Sequence, residues 1–142
     1  MTLTGTGFGG ASSVLFDGVI AVPTSVTATT IKVVVPADAS TGKLTVVTGA
    51  GSGQSATNFK VVPKLTSFGP ASGPVGTSVT IAGSGFTDVT AVKVGGVAAV
   101  GYSVDSSAQI TATVPAGAVT GRVSVVTAGG TATSLTNFTV TP

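Results

Sequence analysis

Apolar and polar residues alternate along most of this chain with a period of two. Ile110, Ala112 and Val114, for example, are separated by Thr111 and Thr113. Such alternation is typical of a β-strand with one buried face, and the β-branched Val and Thr fit a pleated surface well. Turns rich in Gly and Pro separate these runs, and no window has the 3.6-residue period of a helix. We therefore predict an all-β fold in which short strands pack as a β-sandwich.

The strand-and-turn pattern occurs twice. The segment Gly5 to Phe8 recurs 78 residues later as Gly83 to Phe86. After a slip of one residue the offset becomes 79, and it then holds to the end of the chain. We therefore predict two domains, residues 1–63 and residues 64–142. The matched positions to which we assign structural roles are Gly5, Gly7, Phe8, Pro36 and Phe59 in the first repeat and Gly83, Gly85, Phe86, Pro115 and Phe138 in the second.

The first repeat lacks any counterpart of residues 64–78, which read KLTSFGPASGPVGTS. In a sandwich, an opening segment of this kind supplies an edge strand. Its absence makes Met1, Thr2, Leu3 and Thr4 the predicted edge for a partner strand, because an open strand edge is a template for pairing. Two explanations stay open. The chain is an excerpt from a longer tandem array, or a neighbouring copy adds the strand and builds a head-to-tail filament.

Composition changes this picture mainly by exclusion. Only 7% of the residues are charged and the net charge is +2, with the basic residues scattered, so we predict no nucleic-acid binding. The mean hydropathy is +0.64. The apolar runs are nevertheless far shorter than the roughly 20 residues of a membrane-spanning helix, and we predict no membrane insertion. The chain has no Cys and therefore no disulfide framework.

Side chains suited to catalysis or metal binding are few. The chain has no His, Cys or Glu, and its four Asp residues are dispersed. A nucleophile would lack a base, and a calcium site would lack converging oxygen ligands. We therefore predict no catalytic residue, no metal site and no cofactor, and we do not expect an enzyme. The stretch Gly5 to Gly10 fits the dinucleotide-binding pattern, but a strand follows it instead of a helix, so we interpret it as a turn.

Each repeat resembles an IPT/TIG domain, which is an immunoglobulin-like sandwich. In the second repeat the resemblance rests on Phe68-Gly69-Pro70, on Gly83 to Phe86, on Val94-Gly95-Gly96 and on Asn137-Phe138. The first repeat departs from the pattern by lacking the opening segment and by carrying Asp17 where the second repeat has Gly95. The resemblance implies tandem immunoglobulin-like Greek-key β-sandwiches.

The resemblance also implies a class of function. It favours a non-catalytic structural or interaction module, a spacer or stalk, in an extracellular or cell-surface protein of bacterial type. One alternative is a self-assembling filament subunit that uses strand complementation between copies. A further alternative is an accessory module that binds carbohydrate or protein. The expected partner is therefore a protein, including another copy in head-to-tail contact, with carbohydrate as the other candidate.

Overall fold

The computed structural model describes all 142 residues. Strands and turns make up the whole chain, so the prediction of an all-β fold is confirmed. No helix is present that is long and apolar enough to cross a membrane. The chain divides into two compact units, Met1–Lys60 and Val61–Pro142, which we call unit 1 and unit 2.

Unit 1 contains seven strands in two sheets. These strands are β1 (Thr2–Thr4), β2 (Ala11–Phe16), β3 (Val19–Ala21), β4 (Pro23–Val26), β5 (Thr30–Val33), β6 (Gly42–Thr48) and β7 (Gly51–Phe59). One sheet has the order β1-β5-β4, and the other has the order β3-β2-β6-β7. Strands β1 and β7 are therefore edge strands.

Unit 2 repeats these strands and adds two at its start. Its strands are β8 (Lys64–Gly69), β9 (Ser72–Gly73), β10 (Ser78–Ser84), β11 (Val89–Val94), β12 (Val97–Ala98), β13 (Tyr102–Ser106), β14 (Gln109–Thr113), β15 (Gly121–Thr127) and β16 (Gly130–Val140). The sheets have the orders β13-β14-β10-β8 and β12-β11-β15-β16-β9. The opening segment thus joins both sheets, since β8 pairs antiparallel with β10 and β9 pairs parallel with β16.

Alternate residues of the strands form the core of each unit, as the period of two predicts. In unit 2 the buried set includes Val79, Ile81, Ile110 and Val125, and Phe86 and Phe138 add the largest side chains. The largest fully buried side chains of unit 1 lie on β2 and β5 and are Val14, Phe16, Ile31 and Val33. The core of unit 1 is therefore centred away from its edge strands β1 and β7.

The fifth strand is shorter than its hydrophobic pattern predicts. The alternation extends to Val35, but β5 ends at Val33. At the matching position of unit 2, the Val114 amide donates to the Thr77 carbonyl (2.9 Å) and the Val114 carbonyl accepts from the Gly76 amide (2.9 Å). In unit 1 the pairing of β5 with β1 ends at the contacts between Val33 and Met1.

Candidate interaction groove of unit 1

Strand β1, which carries the predicted partner-strand edge, has a neighbour on one side only. The terminal amine of Met1 donates to the Val33 carbonyl (2.9 Å), and the Gly5 amide donates to the Thr29 carbonyl (3.0 Å). Because backbone groups alternate in direction along an antiparallel strand, the amides and carbonyls of Thr2 and Thr4 point to the opposite side. No strand of unit 1 lies there, since β1 ends its sheet.

A groove with a volume of about 530 Å³ opens beside this edge. It runs between β1 with its following turn and the hairpin of β6 and β7. Its apolar lining is Leu3, Phe8, Leu44, Val46 and Ala50. The groove thus combines an unpaired strand edge with an apolar floor, and we call it the unit 1 groove.

Matched positions in the two units show why the groove is open. Val79 of unit 2 is fully buried, whereas its counterpart Met1 is 44% exposed. Ile81 is also fully buried, whereas its counterpart Leu3 is half-buried. The difference arises because β8 covers β10 in unit 2, and unit 1 has no strand in that position.

The facing sheet shows the same contrast. Val125 and Phe138 are fully buried in unit 2, but their counterparts Val46 and Phe59 are half-buried. The ring of Phe59 contacts that of Phe16 edge-on, with 5.3 Å between centroids. In unit 2 the ring of Phe138 instead contacts Phe68 of the opening segment at 6.4 Å. Phe59 therefore has an aromatic neighbour from within unit 1, although the opening segment is missing.

Phe8 and Phe86 occupy matched turns but differ in burial. Phe86 is 1% exposed, whereas Phe8 is half-buried and lines the groove. The sequence assigns structural roles to Phe8 and Phe59, and the structure leaves both only partly covered because no strand closes this side. Each turn has a glycine in the left-handed region, Gly7 with φ 72° and Gly85 with φ 68°.

Gly5 and Gly83 serve a different purpose from these turn glycines. A Cβ atom at Gly83 would overlap the carbonyl oxygen of Lys64 on β8. Gly83 therefore allows β8 to approach β10 closely. A Cβ atom at Gly5 would overlap the ring of Phe8, just as one at Gly83 would also overlap the ring of Phe86.

The two predicted structural prolines begin equivalent turns. The Pro36 carbonyl accepts the Ala39 amide (3.1 Å), and the Pro115 carbonyl accepts the Ala118 amide (3.2 Å). Pro115 is buried, and Pro36 is half-buried. The stretch Gly5 to Gly10 is likewise a turn that leads directly into β2, as the sequence indicates.

Sequence reasoning missed one matched pair of serines. The Ser134 hydroxyl accepts the Val123 amide (3.0 Å) and donates to the Thr136 carbonyl (2.7 Å). Ser55 does the same in unit 1, with the Leu44 amide (3.0 Å) and the Thr57 carbonyl (2.7 Å). Each serine fills a break in strand register. The signal was available, because the two serines are 79 residues apart.

The four carboxylates are all exposed, and no group of three or more acidic, His or Cys side chains lies together. Asp105 has several side-chain partners. It accepts hydrogen bonds from Thr111 (2.6 Å), Gln109 (3.2 Å) and Ser103 (3.0 Å). These donors stabilise the charged form, so they lower the pKa of the Asp105 carboxyl, with Thr111 having the largest effect.

Comparison with known families assigns this architecture. The model of the IPT/TIG domain matches residues 1–61 and residues 63–140. The chain belongs to the IPT/TIG family. Two tandem IPT/TIG copies therefore cover almost the whole sequence, and the first copy is the one that lacks β8 and β9. No curated relative matches the chain in sequence.

Solved structures share this fold over most of the chain. The surface glycan-binding protein PbSGBP-B from Prevotella bryantii superposes with a TM-score of 0.65 over 96% of the chain at 20% identity. SGBP-B from a complex xyloglucan utilization locus in Bacteroides uniformis gives 0.51 over 97% at 20% identity. The full extracellular region of Plexin A4 gives 0.53 over 99% at 18% identity.

The chain is much shorter than these proteins. It covers 36% of PbSGBP-B, 44% of the Bacteroides uniformis protein and 16% of the plexin region. At this level of identity the likeness concerns the fold. The activities of those longer proteins therefore do not transfer with it.

Proposed function

We propose that the chain is a non-catalytic structural and interaction module of an extracellular or cell-surface protein of bacterial type. The unit 1 groove is the observation that carries this proposal. An unpaired strand edge beside an apolar groove is suited to binding another polypeptide. Family membership supports a modular role, and the surface and extracellular proteins with the same fold support the location.

Strand edges bind protein partners through two kinds of contact. The main-chain groups of the edge form the ladder, and apolar positions beside it select the side chains of the partner. In unit 1 the backbone of Thr2 and Thr4 provides the first contact, and Leu3, Phe8 and Val46 provide the second. In unit 2 the equivalent position beside β10 is already occupied by β8. The spacer role accordingly falls to unit 2 and the binding role to unit 1.

The test is whether the groove is open and apolar in solution. An environment-sensitive apolar dye such as ANS is added to the folded chain, to the variant Leu3→Lys and to the control Ile20→Lys. Leu3 lines the groove, whereas Ile20 is an exposed residue of β3 outside it. We expect fluorescence with the wild type and the control and a clear loss with Leu3→Lys. A folded wild-type chain that binds no dye would contradict the proposal.

Carbohydrate is a second candidate ligand, and a different surface favours it. Asp105 with Ser103, Gln109 and Thr111 forms an exposed polar cluster on β13 and β14. Two proteins with the same fold are named surface glycan-binding proteins, one of them from a xyloglucan utilization locus. Affinity electrophoresis in gels containing xyloglucan tests this candidate. Retardation of the wild type that disappears in Asp105→Asn would support it, and equal mobility with and without the glycan would exclude it for xyloglucan.

A further inference from the structure

We propose that unit 1 is completed by an extended polypeptide segment of the β8 type, which lies in the unit 1 groove antiparallel to β1. The segment has the pattern of residues 65–70, Leu-Thr-Ser-Phe-Gly-Pro. This inference rests on the proposed function, since it names the partner of the same groove. The partner is a segment that is not already folded into a complete sandwich.

Unit 2 contains this complex in an intramolecular form. There β8 pairs with β10 so that Phe68 lies opposite Ile81 and Ser67 lies opposite Ala82. Ile81 matches Leu3 of β1, and Ala82 matches Thr4. The same register therefore places the Phe and Ser of the incoming segment opposite Leu3 and Thr4.

The main-chain contacts between β8 and β10 in unit 2 have equivalent positions on β1 in unit 1. Thr80 and Ala82 of β10 face β8, and Thr2 and Thr4 are their counterparts on β1. The Thr66 hydroxyl also donates to the Ala82 carbonyl (2.9 Å), which makes the Thr4 carbonyl the acceptor for an incoming Thr. Gly5 is the counterpart of Gly83, where the lack of a side chain leaves room for the Lys64 carbonyl, so the backbone of the segment approaches Gly5 in the same way.

The side-chain contacts explain the choice of segment. Leu65 is buried in unit 2, and the half-buried Phe68 packs against Phe138 of the core. The matching side of unit 1 leaves Leu3, Val46 and Phe59 only half-buried. A segment with apolar residues three apart would cover this face, because the irregular register of β8 brings both toward the core.

The folded unit 2 of a second copy is a poor source of the segment. Its β8 is already paired with β10, and Leu65 is buried there. Moving β8 into another copy would fill one groove and open another, so the number of paired strands would not rise. Association would still lose translational and rotational freedom. A free extended segment can bind without breaking the pairing of β8 with β10 in a donor copy, which is why we assign the groove to such a segment.

The first experiment measures binding of the segment and its dependence on the two apolar side chains. A synthetic peptide of residues 64–78 is titrated into the full chain, with a peptide carrying Leu65→Ser and Phe68→Ser as the control. We expect saturable binding with one peptide per chain and a higher midpoint for thermal unfolding of unit 1, since a ligand that binds only the native state stabilises it. No shift with the first peptide, or equal shifts with both, would overturn the inference.

The lack of Cys in the chain permits a direct test of register. The peptide with Ser67→Cys is mixed with the chain variant Thr4→Cys or with the control Thr24→Cys on the distant edge strand β4. Facing positions on adjacent strands are close enough for a disulfide. We expect cross-linking with Thr4→Cys well above that with Thr24→Cys. Equal cross-linking of the two variants would overturn the register.

These outcomes separate the inference from the proposed function. Dye binding that is sensitive to Leu3→Lys, without any effect of the peptide, overturns the inference and leaves the interaction module standing. A chain that binds neither dye nor peptide overturns both. Concentration-dependent dimers or filaments in sedimentation, with loss of the β8 pairing in unit 2, would instead show that a second copy is the donor.

Discussion

Ser134 shows how much one hydroxyl group contributes at the residue scale. It is 1% exposed and satisfies the Val123 amide and the Thr136 carbonyl where β15 and β16 lose their regular pairing. Ser134→Ala would leave a buried amide without a partner, so we expect unit 2 to lose about 1–3 kcal/mol. Urea unfolding measures the loss, and Thr133→Ala on the exposed face of the same strand is the control. Equal effects of the two variants would contradict this role.

Phe86 tests the core of unit 2. Its ring is 1% exposed, and truncating a buried Phe typically costs about 3–5 kcal/mol. We expect Phe86→Ala to lower the free energy of unfolding of unit 2 by that amount. The matched variant Phe8→Ala should cost unit 1 less, because Phe8 is only half-buried. A loss below about 1 kcal/mol in urea melts of Phe86→Ala would show that Phe86 is not a core residue.

Asp105 makes the stability of unit 2 depend on pH. Hydrogen bonds from Thr111, Gln109 and Ser103 lower its pKa in the folded state. Its carboxylate therefore stabilises the fold at pH values above the pKa of the unfolded chain, and this contribution is lost as the pH falls through the folded value. We expect Asp105→Asn to lower the urea midpoint near neutral pH, with the difference from wild type shrinking in acid.

Asp38 provides the control for this prediction. It is an exposed carboxylate in a turn of unit 1, so Asp38→Asn reports the general effect of removing one such charge. A difference between wild type and Asp105→Asn that stays constant from neutral pH into acid would contradict the assigned role of the hydrogen bonds.

At the scale of elements, the turn between β11 and β12 depends on Gly95. This residue has φ 56°, and an added Cβ would overlap the Val119 carbonyl. Gly96 has φ 81° but nothing within 4 Å of an added Cβ. Substitution by Ala strains both backbones. We therefore expect Gly95→Ala to destabilise unit 2 more than Gly96→Ala in urea melts, and equal losses would contradict the steric part of this account.

The matching turn of unit 1 explains why Asp17 departs from the glycine of unit 2. Asp17 adopts φ 50°, close to the conformation of Gly95. Asp is among the few residues that tolerate this left-handed region. Its side chain occupies the space where a Cβ of Gly42 would lie. Unit 1 thus keeps the backbone conformation of the turn, and the Asp17 side chain occupies the space beside Gly42.

The change in repeat offset from 78 to 79 residues is explained by a single hairpin. Val26 pairs with Ile31 in unit 1, and the equivalent Val104 pairs with Ile110 in unit 2. Unit 2 then has a register shift between Val104 and Ser106. The additional residue is therefore accommodated in the hairpin of β13 and β14, next to Asp105. A bulge of this kind adds one residue to one strand of a pair and confines the disturbance of the ladder to a local bend.

At the scale of the whole molecule, the chain consists of two compact units with unequal cores. Ile31 of unit 1 and Ile110 of unit 2 are matched and fully buried. Unit 1 is smaller and lacks two strands, so we expect it to unfold at the lower temperature. Ile31→Ala should reduce the free energy of unfolding of unit 1 by about 2–5 kcal/mol and so lower the temperature of the first transition. Ile110→Ala should do the same to unit 2 and the second transition. Calorimetry of the two variants checks this, and a single transition lowered equally by both would contradict independent units.

The sequence by itself determined the strands, the turns, the two repeats and the family. These features are recorded in local patterns, because alternation, turn glycines and repeat offsets depend on neighbouring residues. It also identified Met1 to Thr4 as an edge, since a missing segment is visible in a self-comparison.

Only the tertiary structure decided how deeply each side chain is buried. Leu3 and Ile81 lie in equivalent strands, yet β8 covers only Ile81. The end of β5 at Val33 and the role of Ser134 likewise depend on segments distant in sequence. Burial and pairing in a sheet are contacts between remote strands, so a local pattern states which face is apolar but not what covers it.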